Sequence, residues 1–122
     1  MTSETIAVNE SPIACDMSAI EPGLRAGHIA TGGRVFRAAE EIRELADGYA
    51  FRLPGESDVL LNAAEFISLE RLCCPFLGFT IEVEPEGGPV RVRLTGREGV
   101  KAFIREEVGV LLGGAINWGG IK

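Results

Sequence analysis

A chain of 122 residues with 46% hydrophobic and 25% charged side chains has ordinary globular composition, enough for one modest core and too apolar for a disordered segment. Its formal charge of −6 opposes unaided binding to nucleic acid or to an anionic membrane, since both partners need a basic field. No run approaches the ~20 apolar residues that span a bilayer. The start, Met1-Thr2-Ser3-Glu4-Thr5, lacks the basic and apolar regions of a secretory signal. With an odd count of three cysteines, these features predict a cytoplasmic protein whose thiols stay reduced.

In chain order, residues 1–14 read as a flexible polar lead-in, 15–112 as a single domain and 113–122 as a Gly-rich tail carrying Trp118. Pro22-Gly23, Gly27 and Gly32-Gly33 predict a helix broken into short pieces, with a turn or two surviving between Leu24 and Ala30. A short helix is expected from Val35 to about Ala39. A strand over Glu41–Ala46 then pairs with Tyr49–Leu53 through the hairpin signal Asp47-Gly48. Ser57 or Asp58 is placed to cap a helix running from Val59 to about Cys73. Pro75 disfavours helical geometry at Cys74, so that helix is expected to end within the cysteine pair.

The next two strands alternate cleanly. Pairing Val83 with Val90 sets Ile81 opposite Val92, Phe79 opposite Leu94 and Glu82 opposite Arg91, which buries one face and matches charge on the other. Arg52, Arg91 and Arg93 share the open face with Thr80 and Glu82, which reads as a solvated surface or the contact of a homodimer. Thr95-Gly96-Arg97-Glu98 has the pattern of a capping box for a last helix with Val100, Phe103, Ile104, Val108 and Leu111 on one side. The order from residue 41 is strand, strand, helix, strand, strand, helix. It predicts an α+β two-layer sandwich with one antiparallel four-stranded sheet.

The chemistry concentrates in Glu70-Arg71-Leu72-Cys73-Cys74-Pro75-Phe76. Neighbouring Cα atoms lie ~3.8 Å apart, whereas disulfides usually span roughly 4.4–6.8 Å. A bond between Cys73 and Cys74 would be strained, and thiol redox work is disfavoured for the same reason. Two adjacent thiolates suit a soft, thiophilic ion instead. On a helical wheel starting at Val59, Glu70 falls at about 20°, between Cys73 at about 320° and Cys74 at about 60°. A carboxylate in the middle of an apolar face costs free energy unless it is paired or does work.

Arg71, Arg52 or a backbone N–H is the expected partner if Glu70 is structural. If it serves the thiols, it is a weak ligand or the acceptor of their protons. Cys15 is a candidate third sulfur, completing a trigonal thiolate set for mercury(II) or arsenic(III), with copper(I) or zinc as further options. His28, the single histidine, reads as a surface or hydrogen-bonded residue rather than a ligand. Against metal binding stand two alternatives: a thiol-dependent enzyme that cleaves a carbon–metal bond, and an interaction module whose cysteines are ordinary core.

The Glu70–Leu77 run, with Asp47-Gly48-Tyr49-Ala50-Phe51-Arg52 and Leu94-Thr95-Gly96-Arg97-Glu98-Gly99-Val100-Lys101, resembles a family of small uncharacterised bacterial proteins sharing a Glu-Arg-x-Cys-Cys-Pro-Phe signature. The resemblance extends over roughly residues 15–112. It implies a link to heavy-metal resistance and metal-responsive regulation, and a continuous helix after the Cys15 segment. Arg97 stands where the family usually has proline.

Overall fold

The computed structural model describes residues 11–113; Trp118 and most of the lead-in lie outside them. A 3-10 turn over Met17–Ala19 is followed by helix α1 (Pro22–Arg37), strands β1 (Glu41–Leu45) and β2 (Gly48–Leu53), helix α2 (Ser57–Cys73), strands β3 (Gly78–Val83) and β4 (Val90–Thr95), and helix α3 (Val100–Leu112). The strands form one antiparallel sheet in the order β1-β2-β4-β3. The class is α+β, as the order of elements predicts. Among the described residues no helix is long and apolar enough to cross a membrane.

The second hairpin has the expected register, with Val83 opposite Val90, Ile81 opposite Val92 and Phe79 opposite Leu94. β2 pairs with β4 so that Tyr49, Phe51 and Leu53 stand opposite Leu94, Val92 and Val90, all six buried. Period-two alternation therefore puts one face of the sheet in the core and leaves the arginines on the other. There the ion pairs run diagonally: Glu82 faces Arg91 in register but binds Arg93 at 3.1 Å, while Arg91 binds Glu84 at 2.6 Å. The first hairpin turns at Ala46-Asp47, one residue earlier than expected, with Leu45 opposite Gly48. A Cβ on Gly48 would lie 1.9 Å from the Leu94 carbonyl oxygen, so this glycine admits β4 rather than shaping the turn.

Three expectations are corrected. The glycines do not break the first helix: α1 is continuous from Pro22 to Arg37 and includes the piece expected at Val35. His28, Thr31, Gly32, Val35 and Phe36 are buried at i, i+3, i+4, i+7 and i+8, a core-facing stripe disguised by its composition. A Cβ on Gly32 would stand 2.9 Å from the Phe66 ring and 3.1 Å from Leu111, so the missing side chain lets α1 approach α2 and α3. That contact offsets the ~1 kcal/mol a helical glycine costs. Pro22 at the start and Arg34 and Arg37 in the last turn suit a helix at both ends.

The second correction is at α2, where Glu56 occupies the N-cap without a side-chain bond and neither Ser57 nor Asp58 caps; both are already helical. The third is at α3. Its N-cap is Gly99 at φ 98°, and no capping box forms, because Thr95 belongs to β4 and the helix starts beyond Glu98, which therefore precedes the N-cap. The end of α2 matches expectation. Cys74 is the C-cap at φ −130° and ψ 67°, immediately before Pro75.

Candidate metal centre

Helix α2 aims Glu70 and Cys73 inward, and its non-helical last residue turns Cys74 inward beside them. Glu70 is 1% exposed and both cysteines 0%. The Cys73 Sγ lies 3.5 Å from Glu70 Oε1 and the Cys74 Sγ 3.4 Å from Oε2, so one carboxylate can accept from both thiols. The two sulfurs are 3.7 Å apart, against ~2.05 Å in a disulfide. All three cysteines are free.

Cys15 is exposed, but its segment is pinned to the end of α2 by a bond of 2.9 Å from the Asp16 N–H to the Cys73 carbonyl. Ile20, buried in the core, fixes the far side of that segment. The sulfurs of Cys15, Cys73 and Cys74 consequently lie within 4.8 Å of one another. An ion with bonds of roughly 2.3 Å to each would sit among sulfurs about 4 Å apart, so the set needs only small adjustments.

The partner of Glu70 is not among those expected. Arg71 is exposed, and Arg52 pairs with Glu40 and Glu41 on the open sheet face. His28 of α1 takes the role instead, with Nε2 2.7 Å from Glu70 Oε1. His28 is therefore hydrogen-bonded, as its sequence reading allowed, and buried rather than on the surface. Its ring stacks on Phe66 at 5.1 Å and 10°, and its Nδ1 is buried with no hydrogen-bond partner among the described residues. His28, Glu70 and Cys73 form a second cluster with ligand atoms within 4.8 Å of one another.

Sequence reasoning missed Glu107 of α3, which joins Glu70 and Cys74 in a third such cluster. The signal was present. On a wheel from Val100, Glu107 falls at about 340°, between Phe103 and Leu111, where Glu70 sits on its own helix.

These groups set one another's charge. Burial opposes ionisation of Glu70, yet the hydrogen bonds to His28 and Glu107 win and hold its carboxyl below the ordinary range. Burial likewise opposes a charged His28, but the contacts with Cys73 and Glu70 raise the imidazole from its ordinary 6.5 to about 9. Glu107 is pushed up to about 9, by burial first and by sharing a proton with Glu70 second. The Cys74 S–H donates to Cys73, which outweighs burial and lowers the Cys73 thiol to about 6, while Cys74 itself is raised. One ready thiolate, one protonated imidazole and an ionised carboxylate within reach of both sulfurs lie together here, and the thiolate is the form in which a cysteine takes a metal ion.

Glu107 makes a test of this assignment. Its carboxyl is neutral in the fold and ionised in the unfolded chain between its ordinary 4.5 and about 9, so rising pH across that interval favours unfolding. Glu107→Gln, which is neutral in both states, is expected to gain several kcal/mol, about 5 at most, over the parent at pH 8 and under about 1 kcal/mol at pH 5. Urea denaturation at the two pH values measures this, and an equal gain at both would contradict it.

Comparison of the chain with protein-family models, with curated proteins and with solved structures finds no match.

Proposed function

We propose that this protein binds one thiophilic metal ion through Cys15, Cys73 and Cys74, and serves as a carrier, accessory or detoxification protein for it. The observation that carries the reading is the convergence of three free sulfurs within 4.8 Å, two contributed by adjacent residues and one by a separate segment. A trigonal thiolate set suits mercury(II), arsenic(III) and copper(I). Zinc is the borderline case, for which His28, Glu70 and Cys73 offer mixed nitrogen, oxygen and sulfur donors. The resemblance to a family linked with heavy-metal resistance points the same way.

Ordinary core packing accounts less well for this place. Cysteines are often buried, but a core gains nothing from setting two carboxyl groups and an imidazole around them, since each costs free energy to desolvate. The burial of Glu70 and His28 is a cost that metal uptake gives a use. Native mass spectrometry of the reduced protein with mercury(II), in the presence of excess small monothiol, tests the reading. One ion retained per chain is expected. No retained ion, or equal retention by Cys73→Ser/Cys74→Ser, would remove it.

A further inference from the structure

Resting on that reading, we infer that the site takes its metal as a monoorgano cation, an R–M⁺ species such as an aryl- or alkylmercury ion, with the organic group R seated in an apolar cavity beside Cys15. A cavity of about 180 Å³ opens at this thiol, lined by Cys15, Met17, Ile29, Glu107, Val110 and Leu111. Four of the six walls are aliphatic or thioether. The other two are a sulfur and a carboxyl, both of which also belong to clusters with the buried Cys74.

A bare ion held by three sulfurs presents no apolar surface and has no use for such a space. An organometal cation does. One of its bonds is spent on carbon, so it needs fewer sulfur ligands and requires room for R next to the first sulfur it meets. The volume suits that group, since an apolar cavity of about 150 Å³ holds benzene. The rim adds a second indication. Ile29 is 52% exposed and Val110 74% exposed, large apolar side chains standing in water on two different helices at one opening. An organic group between them would cover both.

Loading is a ligand exchange with no change of oxidation state. The cation arrives bound to a small monothiol; a metal–sulfur bond forms to Cys15 and the bond to the carrier thiol breaks. The carrier leaves as a thiol with the proton that Cys15 gives up. Cys73 and Cys74, within 4.8 Å of Cys15, can then displace or join it.

Competition against free cysteine, followed by native mass spectrometry, compares phenylmercury, methylmercury and inorganic mercury(II) on the full chain. The wild type is expected to prefer phenyl- over methylmercury by about 10- to 100-fold relative to free cysteine, from the added apolar area buried. Ile29→Asn/Val110→Asn changes two exposed positions, so the fold is retained, and thermal unfolding verifies it. This variant should lose most of that preference while holding inorganic mercury(II) within about threefold of the parent. Equal relative affinity for the two organomercurials in the wild type, or a preference untouched in the variant, would overturn the inference and leave the thiol site standing. Failure to retain mercury in any form would instead overturn the thiol site itself, and the inference with it.

Discussion

Cys73→Ser/Cys74→Ser is expected to lower the affinity for mercury(II) by about 10⁴-fold. Structural zinc sites gain about 10–16 kcal/mol from four protein ligands, or roughly 3 kcal/mol for each, and every 1.4 kcal/mol is about tenfold in affinity. Two lost thiolates therefore amount to about four orders of magnitude, and a soft ion discriminates against a hydroxyl more strongly than zinc does. Cys15→Ser should cost about 10²-fold by the same reasoning. Its sulfur is exposed and would contribute one ligand, whereas the buried pair would contribute two and shares the Glu70 carboxylate. Serine preserves size and can still donate to Glu70, so the loss reports on ligation rather than on the fold. Competition with a monothiol of known affinity measures the series. A double variant within tenfold of the parent would show that the ion is held elsewhere.

What the sequence made legible follows physical period. The β3–β4 register could be read residue by residue, because Val90, Val92 and Leu94 alternate with Arg91 and Arg93 and a one-residue slip would expose all three buried side chains; Val83, at the end of the edge strand, is itself exposed. The end of α2 could be read from Pro75, which acts on its neighbour through local sterics. The wheel placed Glu70 between the thiols, and its two carboxylate oxygens do reach one sulfur each.

Helix α1 was hidden for the opposite reason. Local propensity marks Gly27, Gly32 and Gly33 as breaks, but Gly32 is required by the approach of Phe66 and Leu111, atoms that belong to other helices. With α1 unread, the stripe that buries His28 was invisible, and so was the partner of Glu70, 42 positions away in the chain. The arginines nearest in sequence were the natural alternative; tertiary packing turned them outward. Glu107 fell to the same test as Glu70 once applied to α3, and its contact with Glu70 could only follow from how α2 and α3 meet.

His28→Leu is expected to destabilise the fold by about 3–5 kcal/mol, the range for removing one partner of a buried ion pair. Leucine fills the space against Phe66, so the loss does not come from a cavity; it comes from Glu70, left 1% exposed without its cation. Replacing both partners, His28→Leu/Glu70→Leu, should recover most of the loss, because an apolar pair of similar volume needs no compensation for lost hydration. That recovery separates an uncompensated charge from a packing defect, which the second substitution would deepen.

The pH dependence is a second signature. The folded His28 titrates at about 9 against an ordinary 6.5, so its contribution is complete below 6.5 and is lost as pH rises through 9. Glu70 is shifted the other way, and its contribution is present above its ordinary 4.5 and fades as pH falls below that. The cost of His28→Leu should consequently be greatest between about pH 5 and 6.5 and shrink toward pH 9 and above. Urea denaturation of parent, single and double variants across this range measures it. A cost that stays constant from pH 6 to 9.5, or a double variant no more stable than the single, would mean that His28 contributes shape rather than charge. Glu70 would then owe its ionised state to some other neighbour.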